Sequence, residues 1–479
     1  MTDDRNRRAA QAVAAAVARL GRAGRRALTN TIGGPERTRI VVLLASVLAL
    51  SSADASTVGA SASQLRAGLH ITNTDIGLLV SVTSIVAAAA SLPFGVLADR
   101  VRRTWLLGGA IVLWGVAMIW SATVPSFGQL LVARLFLGAV TAAAGPVVAS
   151  LVGDYFHASE RGRIYGFILA GELLGAGVGF GVTGDIAALS WRAAFVILAL
   201  PAFALAWLVV RLPEPVRGAV AEEAGPAEPT DAQRLAREHG LEPDQEHVLY
   251  GDPRRLGLLA ATRHILRVRT NVVLIAASAC GYYFLAGVQT FGVEFVTHQY
   301  RIDQALANLL LLVVGGGAVV GVLAGGTIGD FLLRRGYLNA RILVSAIAAT
   351  ACVVLFVPAF LTRSAMTALP YIAVAAFALF AQNPPLDAAR LDVMVPLLWG
   401  RAEGVRTFLR TMAMALAPLL FGVLSDYVFG GGRAGLQRTF LVMLVPLSGS
   451  AFFLFKGLRT YPRDVATAAA SIKAGHARD

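Results

Sequence analysis

Three ionisable side chains, Asp54, Arg134 and Glu172, stand inside runs otherwise too apolar to hold charge. Asp54 lies about 14 residues into its run, or about 21 Å at ~1.5 Å per helical residue; Arg134 enters from the opposite end and lies about 10 Å in. In a hydrocarbon layer about 30 Å thick the two stand at nearly one height and can pair. An unpaired ion at that depth costs several kcal/mol or more, so a charged or cavity-facing pair is expected over a residue facing lipid. Two readings of the pair fit. Either Asp54 takes up and releases a proton, or yields Arg134 to an anionic substrate, or the pair is a static tie between two helices. Glu172 lies about nine residues into the fifth run, beside Gly171, Gly175 and Gly179, whose four-residue spacing makes a stripe for close helix packing. It stands about 100° from that stripe, placed to face a cavity as a titratable group or to be a neutral acid hydrogen-bonded to its neighbours.

The elements that position these groups follow from composition. A chain of 479 residues that is 56% hydrophobic and 15% charged has too little polar surface to cover a water-soluble globule. Twelve apolar stretches approach the ~20 residues that cross a bilayer as helix. They run approximately over 40–63, 74–97, 104–122, 127–152, 163–184 and 192–211, then 271–296, 305–328, 340–361, 366–386, 404–425 and 438–457. The expected fold is an all-α polytopic membrane protein with twelve transmembrane helices as two six-helix, pseudo-symmetric bundles, residues 40–212 and 271–457. Before them, residues 1–39 read as a basic segment, either an interfacial amphipathic helix or a basic tail held near anionic lipid. Between them, residues 213–270 form a polar linker ending in a surface helix, with Asp252 as its N-cap and Pro253 at its first turn. Residues 458–479 read as a mobile tail.

The net charge of +13 does not point to nucleic acid, because of where it lies. About 35 of the 42 Lys and Arg fall on the side shared by both termini, about six on the other, and Arg134 inside a span. That places the linker and both termini in the cytoplasm and the chain in the cell membrane. Cys280 and Cys352 lie within apolar runs as small hydrophobes. No metal-ligand spacing, nucleophile or phosphate loop is present, so neither an enzyme nor a cofactor is expected.

One phrase occurs twice: Gly95-Val-Leu-Ala-Asp99-Arg100-Val-Arg-Arg103 and Gly326-Thr-Ile-Gly-Asp330-Phe-Leu-Leu-Arg334. Each copy closes an apolar run, and together they mark a duplicated bundle. The glycine lets helices approach, and the aspartate can meet a helix N-terminus or an arginine across the interface, latching one state at the cytoplasmic gate. Asp154, Glu160, Arg161 and Arg163, with Asp392, Arg401, Glu403 and Arg406, read as charge pairing across the boundary between bundles. In the second half Tyr282, Tyr283, Gln289, Gln382 and Asn383 are candidates for lining a cavity or for gluing helices, as is Thr141 in the first. Asn383-Pro384-Pro385 should break the tenth helix. The second half otherwise looks poor in buried charge, so an asymmetric cavity is expected, charged on one wall and apolar on the other.

These features resemble the major facilitator superfamily of transporters. Besides the loop phrase the resemblance rests on Arg134-Leu-Phe-Leu-Gly138, on Asp154 to Arg163, and on Trp191-Arg192-Ala-Ala-Phe195. A narrower resemblance, to the Spinster group of lipid transporters, rests on Asp54, Asp75-Ile-Gly77-Leu-Leu79, Gly175-Ala-Gly177-Val-Gly179, Leu212-Pro-Glu214-Pro-Val-Arg217 and Asp392-Val-Met-Val-Pro396 with Gly400-Arg401. The chain departs from that group by Ala55 in place of arginine and Thr141 in place of glutamate; Glu172 reads as the titratable acid moved to the fifth span. The resemblance implies a proton-coupled secondary transporter, a monomer working by alternating access. It implies export of a lipid-like or drug-like amphipath, by antiport. An organic-anion uptake symporter and a non-transporting receptor or scaffold are the alternatives.

Overall fold

The computed structural model describes residues 29, 32–156, 158–215, 230–250 and 257–476. Most of the expected segment 1–39, and Asp252 and Pro253, fall outside these. Among the described residues there is helix and no strand, and twelve helices are long and apolar enough to cross a membrane. Spans 1 to 3 are Pro35–Ala60, Asn73–Arg100 and Arg103–Thr123. Span 4 is broken into Phe127–Thr141 and Ala144–Tyr155, span 5 runs from Ala158 to Leu189, and span 6 is Trp191–Val210. Spans 7 to 9 are Arg269–Tyr300, Gln304–Arg334 and Ala340–Leu361; span 10 is Ala365–Ala381 plus Asn383–Asp392; span 11 begins at Trp399; span 12 is Gly432–Val442 plus Leu444–His476.

The breaks have local causes. A proline lacks an N–H and its ring collides with the carbonyl four residues back. Span 4 accordingly breaks at Ala142 and Ala143, ahead of Pro146, and span 12 at Met443, ahead of Pro446. Span 10 breaks at Gln382, just before Pro384 and Pro385, as the sequence predicts. Spans 5 and 11 each carry a wide π turn near their far ends, Gly179–Thr183 and Leu424–Val428.

Helix packing repeats between the halves. Spans 1 and 5, 3 and 6, and 2 and 4 pack closely in the first; spans 7 and 11, 9 and 12, and 8 and 10 do so in the second. The glycine stripe is the contact between spans 1 and 5. A Cβ on Gly175 would come 2.0 Å from the Ala49 carbonyl oxygen, and Gly171 and Gly179 meet Ala45 and Ala53 in the same way. Gly321 and Gly325 of span 8 sit likewise against the carbonyls of Phe377 and Ala381 in span 10.

The end that carries the linker is termed inner, the opposite end outer. At the outer end the halves are joined by hydrogen bonds: Gln304 Nε2 to the Ala60 carbonyl (2.7 Å), Asn308 Nδ2 to Asp185 (2.8 Å), and Thr74 N to Asp426 (2.7 Å). Arg66 and Glu294 form an ion pair at 2.7 Å. Spans 1 and 7 touch backbone to backbone there, since a Cβ on Gly59 would lie 2.0 Å from the Gln289 carbonyl oxygen.

The sequence misjudges two polar segments. Residues 458–479 are not a mobile tail as far as His476: the last helix continues to that residue, with Tyr461, Val465, Ala469 and Ile472 buried. It packs against a linker helix, Asp231–Glu238, whose Arg237 donates to the Ala469 carbonyl and whose Gln233 donates to the Asp392 carbonyl. Apolar positions repeated at helical spacing past Lys456 hold this segment, which hydropathy alone scores as polar. The expected surface helix is present but begins at Leu258, after Gly257, and ends at Arg267.

Candidate functional site

Arg134 Nη1 donates to both oxygens of Asp54, at 2.8 and 3.1 Å, joining spans 1 and 4. Both side chains are buried, and the guanidinium lies 4.7 Å from the ring centre of Phe195 on span 6, while its Nη2 has no hydrogen-bond partner. The pair is thus enclosed by three helices of the first half. About one turn outward, the Thr57 hydroxyl meets that of Thr183 at 2.5 Å, where the π turn of span 5 begins to close over span 1.

Glu172 stands apart from this pair. It is half-buried, close to Ser52 of span 1 and within electrostatic range of Arg410 on span 11. Arg410 lies 4.3 Å over the ring of Tyr282 on span 7. At ~1.5 Å per residue, Glu172, Tyr282 and Arg410 stand roughly 21, 20 and 16 Å from the inner ends of their helices, so they share one level. Glu172 belongs to the first half and Tyr282 and Arg410 to the second, so the three bring charge of both halves to one level.

Arg410 corrects the expectation of an apolar second wall. The sequence tally counts it among the inner-side positive charges, whereas it stands within span 11. Inward of it, Arg406 Nη1 donates to Asp387 (2.6 Å) and Nη2 to Glu403 (2.7 Å), and Arg390 pairs with Glu403. A spacing signal was present: Arg406 and Arg410 are one turn apart on one helix face.

The remaining candidates are distributed as follows. Tyr283 is half-buried against the core, and Gln289 meets span 1 through its backbone. Gln382 does not line the central space. It fills the break in span 10, its carbonyl accepting from Ser345 (2.9 Å) and its Oε1 from Ser450 (3.3 Å). Asn383 is half-buried at the start of the segment beyond. Thr141 lines a small apolar cavity of about 30 Å³ between spans 1, 3 and 4, inside the first half.

At the inner end the described side chains form ion pairs within each half. Arg103, 1% exposed, donates to Asp154, to Glu214 (2.9 Å), to Ser150 (2.9 Å) and to the Pro215 carbonyl (2.9 Å). In the second half Arg341 occupies the matching corner, bonded to Asp392 (2.5 Å) and Asp330 (2.8 Å), with Tyr461 donating to Asp392 (2.5 Å). Asp330 therefore meets Arg341, not Arg334, which is exposed at the helix end. Arg100 is exposed and Arg401 half-buried, and Gly326 faces Pro384. Gly95, Asp99, Glu160, Arg161 and Arg163 have side chains outside the described set. Arg341 was missed because it lies beyond the repeated phrase, and its partner Asp392 is 51 residues away in sequence.

Glu214 was also missed as a structural group. Its two oxygens accept from Arg103 N (3.2 Å), Thr104 N (3.1 Å) and the Thr104 hydroxyl (3.0 Å), capping the start of span 3. Burial opposes the charge on Glu214, but Arg103 and these bonds hold its carboxyl below the usual range. In the linker, burial, His247 and Arg267 push the His264 imidazole down. Among the described residues no group of three His, Cys, Asp or Glu side chains is placed to hold a metal.

Twelve spans in two repeating sets, with charges buried between them, define a membrane carrier of duplicated bundles. The family model of the Major Facilitator Superfamily matches residues 44–418, and the chain belongs to that family, one of membrane transporters and not of enzymes. Relatives include the probable L-galactonate transporter of Escherichia coli (28% identical over 34% of this chain and 36% of that protein). Another is protein spinster homolog 1 of Rattus norvegicus (30% identical over 42% of this chain and 40% of that protein). The match thus spans well under half the length of either. The same fold occurs in a bacterial homolog of the human lysosomal transporter Spinster, in an inward-facing and unoccupied conformation (TM-score 0.72, 18% identity, covering 90% of this chain and 98% of that one).

Proposed function

We propose that this chain is a proton-linked secondary transporter of the cell membrane, with both termini in the cytoplasm, that moves an amphipathic solute by alternating access. The observation that carries this reading is the division of buried charge. Asp54 and Arg134 are enclosed within the first half, while Glu172 of the first half lies within electrostatic range of Arg410 and Tyr282 of the second. An enclosed pair suits an ion that is small and mobile. Protonating Asp54 cancels its charge, leaves Arg134 without its counter-ion and loosens span 1 from span 4. Span 1 also carries Gly59 against span 7 and Thr57 against span 5, so its movement reaches the outer seal directly. The larger solute takes the central space, with its polar part at the Glu172 level and its apolar part along the surrounding helices.

The seal at the outer end and the separate charge clusters at the inner end fit the inward-facing member of such a cycle. The relatives named for a sugar acid and for Spinster support transport by different solutes on one scaffold. A receptor or scaffold is disfavoured because it has no use for ionised groups held at the centre of a membrane. The test is transport into proteoliposomes under an imposed pH gradient, with wild type and D54N compared. Gradient-driven accumulation by wild type, absent in D54N, is the expected result. Equal accumulation by both removes Asp54 from coupling, and no transport of any solute by wild type removes the carrier reading.

A further inference from the structure

Of Arg390, Arg406 and Arg410 in spans 10 and 11, Arg410 is the one without an ion pair among the described residues. Among Asp387, Arg390, Glu403, Arg406 and Arg410 there are three guanidiniums and two carboxylates, and both carboxylates are bonded to Arg390 or Arg406. Among the described residues Arg410 has no ion pair, and its Nε has no hydrogen-bond partner. The charged and titratable groups around it come from four helices: Tyr282 on span 7, Arg406 on its own span, Asp387 on span 10 and Glu172 on span 5.

Tyr282 determines how this charge is presented. The ring lies against the face of the guanidinium, 4.3 Å from its centre, and so covers the side that cannot donate hydrogen bonds. The edge carries the N–H donors in a fixed fork, and its Nε is buried without a hydrogen-bond partner. A planar fork held against an aromatic face in a partly desolvated space fits the two oxygens of a carboxylate or a phosphate. On the opposite half stands Glu172, close to Ser52. Glu172 and Arg410 lie within electrostatic range of one another without forming an ion pair.

Resting on the carrier reading above, we propose that Arg410, seated on Tyr282, is the anion-binding residue of the central site, that it takes the carboxylate or phosphate head of an amphipathic solute, and that Glu172 is the internal anion this head displaces. The site therefore selects anionic over cationic amphipaths. A cation with the same apolar body would meet Arg406 and Arg410 on the same wall and be repelled.

The test is equilibrium binding to purified full-length protein in neutral-lipid nanodiscs, with no gradient applied. Three probes share one dodecyl chain: dodecyl phosphate, dodecyltrimethylammonium and a neutral dodecyl glycoside, with dodecanoate as the carboxylate version of the first. Wild type should bind both anions at least tenfold more tightly than the neutral and cationic probes. R410Q should lose at least tenfold for the anions and leave the neutral probe unchanged, R410K should keep part of the difference, and E172Q should bind anions several-fold more tightly. The opposite signs of R410Q and E172Q separate this outcome from general misfolding. Equal binding of all probes by wild type, or anion binding by R410Q at the wild-type level, overturns the proposal. A preference for dodecyl phosphate over dodecanoate or the reverse assigns the head group. Because no gradient enters, these results stand or fall separately from the D54N transport result.

Discussion

The two halves carry their buried charge in different ways. In the first, Asp54 and Arg134 satisfy one another inside a ring of three helices, with Phe195 closing the far side. In the second, Arg410 faces the other half from the edge of a cluster that has one guanidinium more than it has carboxylates. A matched, enclosed pair responds to removal of one charge, which a proton does by neutralising the acid. An unmatched charge facing a space responds to a ligand. The two halves repeat the same helix packing, and under the proposed function the charges placed on them serve two tasks.

The largest effect tests the matched pair. Replacing Arg134 with leucine leaves Asp54 buried without a partner, and loss of one member of such a pair costs about 3–5 kcal/mol. The R134L protein is expected to unfold at a markedly lower temperature, and D54L/R134L to regain most of the loss. If R134L and the double variant are equally unstable, packing and not charge holds spans 1 and 4. The corresponding change on the other side, R410L, should cost less, since among the described residues Arg410 has no ion pair and loses its ring contact with Tyr282 and the longer-range attraction of Glu172.

The next effect compares the two glycine contacts. In G175L the new side chain starts 2.0 Å from the Ala49 carbonyl oxygen, and in G325L it starts 1.9 Å from that of Ala381. Overpacking of this kind costs about 1–3 kcal/mol or more. Both variants should fall by similar amounts in thermal unfolding, because both separate a helix pair that the repeat places in close contact. A fall confined to one would show that one pair moves freely during the cycle.

The smallest effect lies at the inner corners, where Arg103 bonds Glu214 in the first half and Arg341 bonds Asp330 in the second. Glu214 has its native titration lowered, so its contribution is full above its ordinary value, near pH 4.5, and is lost as pH falls through the lower native value. At pH 7, E214Q should cost about 1 kcal/mol, the usual worth of a helix cap. The gap between wild type and E214Q should close as the pH is brought down through the lowered native titration of Glu214. A gap independent of pH would mean the cap works through geometry alone.

Much of the fold was readable from sequence because a bilayer imposes it. Span count, the break before Pro384 and the stripe at Gly171, Gly175 and Gly179 all follow from length, ring geometry and spacing. Asp54 and Arg134 could be placed at one height from helical rise alone, which is why their contact could be anticipated. Arg410 could not be reached in this way. Counting positive charges near an inner helix end treats an arginine about three turns deep as a topology marker, and only the approach of Tyr282 and Glu172 from other spans shows what it faces. Gln382 failed for the converse reason: an amide in a span suits a cavity or a helix break equally, and the partner hydroxyls, Ser345 and Ser450, come from distant spans. The final helix past Lys456 was lost because its apolar face is matched by the linker, which no local window contains.

The central claim, that the enclosed pair of the first half is the proton-linked element, is tested most directly by initial uptake rates of a dodecyl-chain anion into proteoliposomes, with and without a pH gradient. The wild-type rate should rise severalfold with the gradient, while D54N should show one rate under both conditions. A D54N protein that responds to the gradient as wild type does would contradict the account.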